Sequence, residues 1–200
     1  MTEHRRPRRP SYLEPAALEA VGERHDPIAG LQAAHETAAV LVHRGRAATD
    51  PETIERLVRL VDEIGLPDLA ELWAARPARS LPGALWRLYL LREWMTRHPE
   101  AVAREYAAGV RFTEPNHVVA GVDPPGPDEV RQVADQILRG AFTGDFAVAL
   151  ERAAAFCAVV TSGRADLTTG LDAVTQAARL RDLADDLTAA AALWRAGKLV

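Results

Sequence analysis

A chain of 200 residues with 48% hydrophobic and 26% charged side chains has the composition of a globular protein and enough length for a sizeable core. Its one cysteine, Cys157, excludes an internal disulfide and any metal site built from several cysteines. Charged residues interrupt every apolar run before the roughly 20 residues that a membrane helix needs, and no apolar signal core follows the basic N-terminus, so we expect a cytoplasmic protein.

The basic residues are unevenly chosen and unevenly placed. Of the 24, only Lys198 is a lysine, which is typical of high-GC bacterial genomes. The first ten residues carry a net charge of +3 and leave −7 on the rest of the chain. This charge comes from one glutamate, Glu3, and four arginines, Arg5, Arg6, Arg8 and Arg9. Residues 1–14 lack an apolar period and are predicted to be a disordered basic tail, which could contact nucleic acid through phosphate charge alone.

Helix start signals organise the first third of the chain. Asp26-Pro27 and Asp50-Pro51 each place an N-cap carboxylate before a proline that suits the first helical turn. The predicted helices end at Gly45 and Gly65. Their apolar stripes are Ile28, Leu31, His35, Ala38 and Val42 in the first, and Ile54, Leu57, Val58, Val61 and Ile64 in the second. Short helices are predicted over Ala16–Val21 and Pro67–Ala75.

The most apolar helix is predicted from Leu81 to about His98. Ser80 is its N-cap and Pro99 cannot continue it. Apolar side chains surround nearly its whole circumference, which is typical of a buried central helix. Another helix follows over Glu100–Ala108 and ends at Gly109.

Residues 110–126 are predicted to form the one long irregular stretch, because prolines and glycines recur within it. A connection of this length is usually a functional loop or a linker, and it marks a possible boundary inside the domain. Its polar residues offer ligand contacts or form turns. They are Glu114, Asn116, His117 and Asp123.

Three helices are predicted to complete the chain. The first opens at Pro127 and ends at a turn over residues 140–144. Asp145 caps the second, which covers Phe146–Thr161 and ends before Gly163. The last runs from about residue 171 to Ala196, and its stripe is Val174, Ala177, Leu180, Ala184, Leu187, Ala191 and Trp194.

No segment alternates apolar and polar residues as a strand does, and Phe112 to Val122 is only a weak strand candidate. The sequence therefore predicts an all-α fold. We expect one domain over residues 15–200, with about eight helices in a compact orthogonal or antiparallel bundle around the buried central helix.

Arg92 lies in the middle of the richest apolar arc of the central helix. A guanidinium keeps its proton, so its burial without a partner would cost several kcal/mol. One interpretation is an internal bridge to a carboxylate. The other is a site for an anionic ligand, with Arg87 or Arg97 nearby.

Trp86 and Trp94 on the same helix diverge by about 80°. If the bundle encloses the helix, both are core residues. If one side stays open, tryptophan mixed with arginine is the composition of a protein-binding hot spot. Cys157, on the inner face of its helix, is predicted to be a small buried thiol.

No motif points to catalysis, a cofactor or a metal. We therefore expect a non-catalytic helical adaptor or regulatory protein of the bacterial cytoplasm. It would bind another protein through a groove with Trp86, Trp94 and neighbouring arginines, or through its acidic surface. The alternatives are a protein or enzyme that binds a small anionic ligand through Arg92, and a nucleic-acid-associated protein that uses its N-terminal arginines.

Overall fold

The computed structural model describes residues 27–121, 123, 125–168 and 170–200, except for the side chains of Pro27, Glu114 and His117. All regular structure in these residues is helical, as predicted. The helices are α1 (Pro27–Ala47), α2 (Pro51–Val58), α3 (Leu60–Ile64), α4 (Leu66–Trp73), α5 (Leu81–Arg97), α6 (Pro99–Gly109), a 3-10 turn (Val110–Phe112), α7 (Glu114–Ala120), α8 (Pro127–Thr143), α9 (Phe146–Leu167) and α10 (Leu171–Arg195). The predicted basic tail over residues 1–14 and the predicted helix over Ala16–Val21 lie outside the described residues.

The predicted caps begin their helices as expected. Thr53 N–H donates to the Asp50 carboxylate over 2.7 Å at the start of α2. A side-chain hydrogen bond with Thr53 and, after it, this backbone bond lower the pKa of Asp50. The backbone N–H of Gly83 donates to Ser80 at the start of α5, and that of Ala147 donates to Asp145 at the start of α9, over 3.3 and 2.9 Å. Each side chain satisfies an N–H that the helix itself leaves without a partner.

Two predictions for the first third of the chain are wrong in detail. The helix predicted from Pro51 to Gly65 divides at Arg59, where α2 ends and α3 begins. The stripe of α1 starts later than predicted: Ile28 and Leu31 are exposed, and burial begins at Ala34. Helix α1 therefore reaches the core only after its first two turns.

The long irregular stretch predicted over residues 110–126 is also wrong. The 3-10 turn and α7 occupy most of it, so irregular structure is confined to a short connection before α8. Pro115 is the second residue of α7, where a proline favours helix initiation because its missing N–H has no helical partner there. Helix α7 packs on α9.

Three glycines predicted to end helices lie inside them. Helix α1 continues through Gly45 to Ala47, α8 through Gly140 to Thr143, and α9 through Gly163 to Leu167. At Gly163 the reason is packing, because α9 crosses α6 there at Gly109. A Cβ added to Gly163 would lie 1.6 Å from the Glu105 carbonyl oxygen, and one added to Gly109 would lie 1.9 Å from that of Val159. Gly163 therefore permits a close crossing of two backbones.

Two helices form the centre of the bundle. Most residues of α5 are buried, as predicted for the central helix, and it packs against α1, α4 and α8. Most residues of α9 are also buried, among α6, α7, α8 and α10. By length and composition α9 could cross a bilayer, but 72% of the qualifying window is buried inside the fold, as in the core helix of a soluble protein.

Candidate functional site

Arg92 forms the internal bridge that one interpretation predicted. Only 6% of the residue is exposed, and its Nε donates to Asp135 on α8 over 2.7 Å. Its Nη2 donates to Asp62 on α3 over 3.3 Å. Burial by itself would lower the pKa of the guanidinium, but the two carboxylates raise it overall. Nη1 has no hydrogen-bond partner among the described residues, and it is closed off from solvent. An incoming anion would find this guanidinium enclosed and occupied.

The opposite side of α5 is open. A cavity of about 580 Å³ lies between α5 and α10 and is exposed to solvent along one side. Its residues come from the end of α4, from α5, from the end of α9 and from α10. They are Ala74, Trp86, Arg87, Leu90, Leu91, Trp94, Arg164, Gln176, Arg179, Leu180, Asp182, Leu183 and Asp186. We call this surface the α5–α10 groove.

The floor of the α5–α10 groove is apolar. Trp86 and Leu180 are buried at 8% and 7% exposure, and Trp94 is half-buried. Leu90 is 40% exposed although most residues of its helix, α5, are buried. Helical geometry places Trp86 and Trp94 about 12 Å apart along the axis, with Leu90 between them. The groove thus presents a continuous apolar strip about two helical turns long.

Arginines and aspartates alternate along the rim. Arg87 pairs with Asp186 over 3.4 Å, and Arg164 pairs with Glu105 through two hydrogen bonds of 2.9 and 2.7 Å. Arg179 forms no ion pair with any other described residue, and its side chain is exposed. Two of the three arginines are therefore held in place beside the groove by carboxylate partners.

Arg164 owes its position to the close crossing of α6 and α9. The residue follows Gly163, and Glu105 is the residue whose carbonyl oxygen lies against that glycine. The side chains of Arg164 and Glu105 are only 12% and 14% exposed. The Arg164 guanidinium lies 5.5 Å from the centre of the Trp94 ring, a cation–π distance. One end of the groove is therefore built beside the close crossing of α6 and α9.

The structure brings together three of the residues predicted from sequence and separates the others. Trp86, Arg87 and Trp94 line the α5–α10 groove. Arg92 lies on the closed side of α5, and Arg97 is exposed on its last turn, paired with Glu93 over 2.5 Å. His117 belongs to α7, but its side chain is not described. The tail arginines Arg5, Arg6, Arg8 and Arg9 also lie outside the described residues.

Sequence reasoning missed the half of the groove that α9 and α10 supply. Leu183 lies just outside the predicted stripe of α10, next to Leu180, and widens its apolar surface. An apolar residue beyond the core stripe, flanked by charges such as Arg179 and Asp182, was the available signal. For Arg164 no local signal exists, because only the crossing of α6 and α9 brings it to Trp94.

The remaining candidates are structural. Cys157 is fully buried, as predicted, and burial raises the pKa of its thiol to about 12. Trp73 is fully buried and stacks near Tyr89, with ring centres 6.2 Å apart. A second cavity, of about 540 Å³, lies between α7, α9 and α10. The hydroxyls of Thr161, Ser162 and Thr188 line it, and each donates to a carbonyl of its own helix.

Comparisons of this chain with protein-family models, with curated proteins and with solved structures gave no match.

Proposed function

We propose that this protein is a non-catalytic adaptor or regulatory protein of the bacterial cytoplasm, and that the α5–α10 groove binds a helical segment of a partner protein. The observation that carries the proposal is the apolar strip of Trp86, Leu90 and Trp94, in which Leu90 is 40% exposed, at the floor of an open groove bordered by arginines. Tryptophan and arginine dominate the binding energy of protein interfaces.

The shape of the groove favours a helix as its occupant. Two antiparallel or crossing helices that leave an apolar channel between them accept the apolar face of a third helix, whose anchors recur at three- and four-residue spacing. The strip between Trp86 and Trp94 accommodates about two turns of such a helix.

The charges of the rim favour an acidic partner. Arg87, Arg164 and Arg179 border the strip, and Arg179 has no ion pair among the described residues. Carboxylates beside the apolar anchors of the partner would meet these donors. Asp182 and Asp186 lie on the same rim, with Asp186 3.4 Å from Arg87, and they disfavour an occupant that is acidic throughout.

A designed helical peptide tests this function. We choose a labelled peptide of about sixteen residues with leucines at positions i, i+3, i+4 and i+7 and glutamates on its flanks, long enough for about four turns. A matched peptide carries lysines in place of the glutamates. Fluorescence anisotropy against the full chain should show at least ten-fold tighter binding of the glutamate peptide, an advantage that shrinks in high salt.

Substitutions in the groove provide the controls. Leu90→Asp and Leu183→Asp should each weaken binding of the glutamate peptide about ten-fold or more, because each places a carboxylate in the apolar strip. Val148→Asp adds the same charge at an exposed apolar residue of α9 outside the groove, and it should leave binding unchanged. Equal affinity for the two peptides, or an affinity that Leu90→Asp does not alter, would refute the proposal.

A further inference from the structure

The described chain begins beside the α5–α10 groove. Gly30, in the first turn of α1, lies next to Arg76: a Cβ built on this glycine would be 3.7 Å from the Arg76 guanidinium. The Arg76 side chain folds back on α4, since its Nε donates to the Leu72 carbonyl oxygen. Ala74, in the same region, lines the groove. Helix α1 therefore begins close to one end of the groove.

The preceding segment has the chemistry that the groove accepts. Residues 12–23 contain three glutamates and no arginine or lysine, unlike the arginine-rich residues before them. The large apolar side chains of this segment are Tyr12, Leu13, Leu18 and Val21. Its acidic side chains are Glu14, Glu19 and Glu23. The sequence predicts a short helix over Ala16–Val21. This segment and the rim arginines have opposite charges.

The lengths also agree. Three residues, 24–26, connect the segment to Pro27 and span up to about 10 Å when extended. The helix predicted over Ala16–Val21 is about 9 Å long, and residues 12–15 before it add enough chain to cover the strip of about 12 Å between Trp86 and Trp94.

We infer that residues 12–23 of the chain occupy the α5–α10 groove in the free protein, and that a partner binds by displacing them. This inference rests on the proposed function, because it assigns an occupant to the same groove. A tethered segment acts at an effective concentration on the order of 1 mM. With an intrinsic dissociation constant of about 100 µM it weakens a competing peptide about ten-fold. Only a partner that binds the groove tightly enough to displace the segment would therefore bind.

The test compares full-length variants. Leu18→Asp combined with Val21→Asp removes the two apolar anchors of the segment. Thr2→Asp combined with Ser11→Asp adds the same charge outside it. The designed glutamate peptide should bind the first variant about ten-fold more tightly than the unaltered chain, and it should bind the second variant like the unaltered chain. A labelled peptide of residues 11–24 should bind the first variant and lose affinity when Leu90→Asp is added.

The outcomes separate this inference from the proposed function. If the designed peptide binds all three proteins equally and the peptide of residues 11–24 binds none of them, the groove binds partners but its own segment does not occupy it, and the inference is overturned. If the designed peptide binds neither the unaltered chain nor the Leu18→Asp, Val21→Asp variant, both the proposed function and the inference fail.

Discussion

Two pairs of helices in this bundle meet in opposite ways. Helices α6 and α9 cross at Gly109 and Gly163, where the backbones touch because neither residue has a Cβ. Helices α5 and α10 meet over Trp86, Trp94 and Leu183, and a cavity of about 580 Å³ remains between them. Small residues bring helices together, whereas large and charged ones hold them apart.

The comparison shows how the closed contact supports the open one. Arg164 pairs with Glu105 directly beside the glycine crossing and then extends to Trp94 in the groove. On the other side of α5, Arg92 is closed in by Asp62 and Asp135. The proposed binding surface must be exposed yet stable in shape, and part of its rim is held by the largely buried pair of Arg164 and Glu105.

The close crossing gives the largest expected effect. Gly163→Ala should lower the free energy of unfolding by about 3 kcal/mol or more, because its Cβ would collide with the Glu105 carbonyl. Gly140→Ala is the matched control: it lies inside α8 with 3.7 Å to the nearest Cβ, and it should be stabilising by about 0.5–1 kcal/mol. Urea unfolding measures both. Similar values for the two variants would show that the crossing is not tight.

The next largest effect on stability is expected at the bridge between Arg92 and its two carboxylates. Asp135→Ala should cost about 2 kcal/mol in unfolding free energy, because it leaves the buried Arg92 guanidinium with one weak partner. Asp62→Ala should cost less than about 1 kcal/mol, since Asp62 is half exposed and its bond is longer. If the two variants were equally destabilised in urea, Asp135 would not be the principal partner of Arg92.

Because Cys157 is buried in α9, the protein should lose stability at alkaline pH. The pKa of Cys157 is raised to about 12 from 9.0, so the thiol ionises first in the unfolded state. The contribution of this thiol to the free energy of unfolding is fully present below about pH 9 and is lost as the pH rises toward 12. The free energy of unfolding should therefore fall less steeply with pH in Cys157→Ala than in the unaltered protein. The two slopes should differ by up to about 1.4 kcal/mol per pH unit.

Unfolding in urea at several pH values between 8 and 11 measures that slope. Any cavity left by Cys157→Ala shifts the whole curve and leaves its slope unaffected. Tyr106, whose pKa burial raises to about 12, is present in both proteins and cancels. Parallel curves for the two proteins would mean that the thiol is accessible in the folded state.

The open groove gives the smallest effect on stability. Leu90→Asp should change the unfolding free energy by less than about 1 kcal/mol, because the residue is 40% exposed. Leu91→Asp, at the adjacent residue, should cost about 3 kcal/mol or more, since Leu91 is only 3% exposed. Thermal unfolding of the two variants decides the matter. A large loss from Leu90→Asp would show that the groove is closed in solution.

Much of the fold was predictable from local signals. Asp50, Ser80 and Asp145 cap the helices that the sequence assigned to them. The apolar side chains around the whole circumference of α5 predicted that this helix is buried. Glycine was less informative, because Gly163 stands where two helices touch and has no role as a helix end. A glycine needed for packing and one needed for a turn look alike in a single sequence.

Only the part of the candidate site that lies on α5 was predicted from the sequence. Trp86, Arg87 and Trp94 lie on one helix, so their spacing alone places them close together. Arg164 and Leu183 join them from helices far along the chain, and Arg92 is drawn away by Asp135.

Local chemistry by itself determined that this chain is helical, where α2, α5 and α9 begin, and that a buried arginine needs a carboxylate. Only the tertiary structure decided which carboxylates those are and which side of α5 stays open. The physical reason is range: caps and periodicity act within a few residues, whereas a cavity depends on how closely distant backbones approach one another.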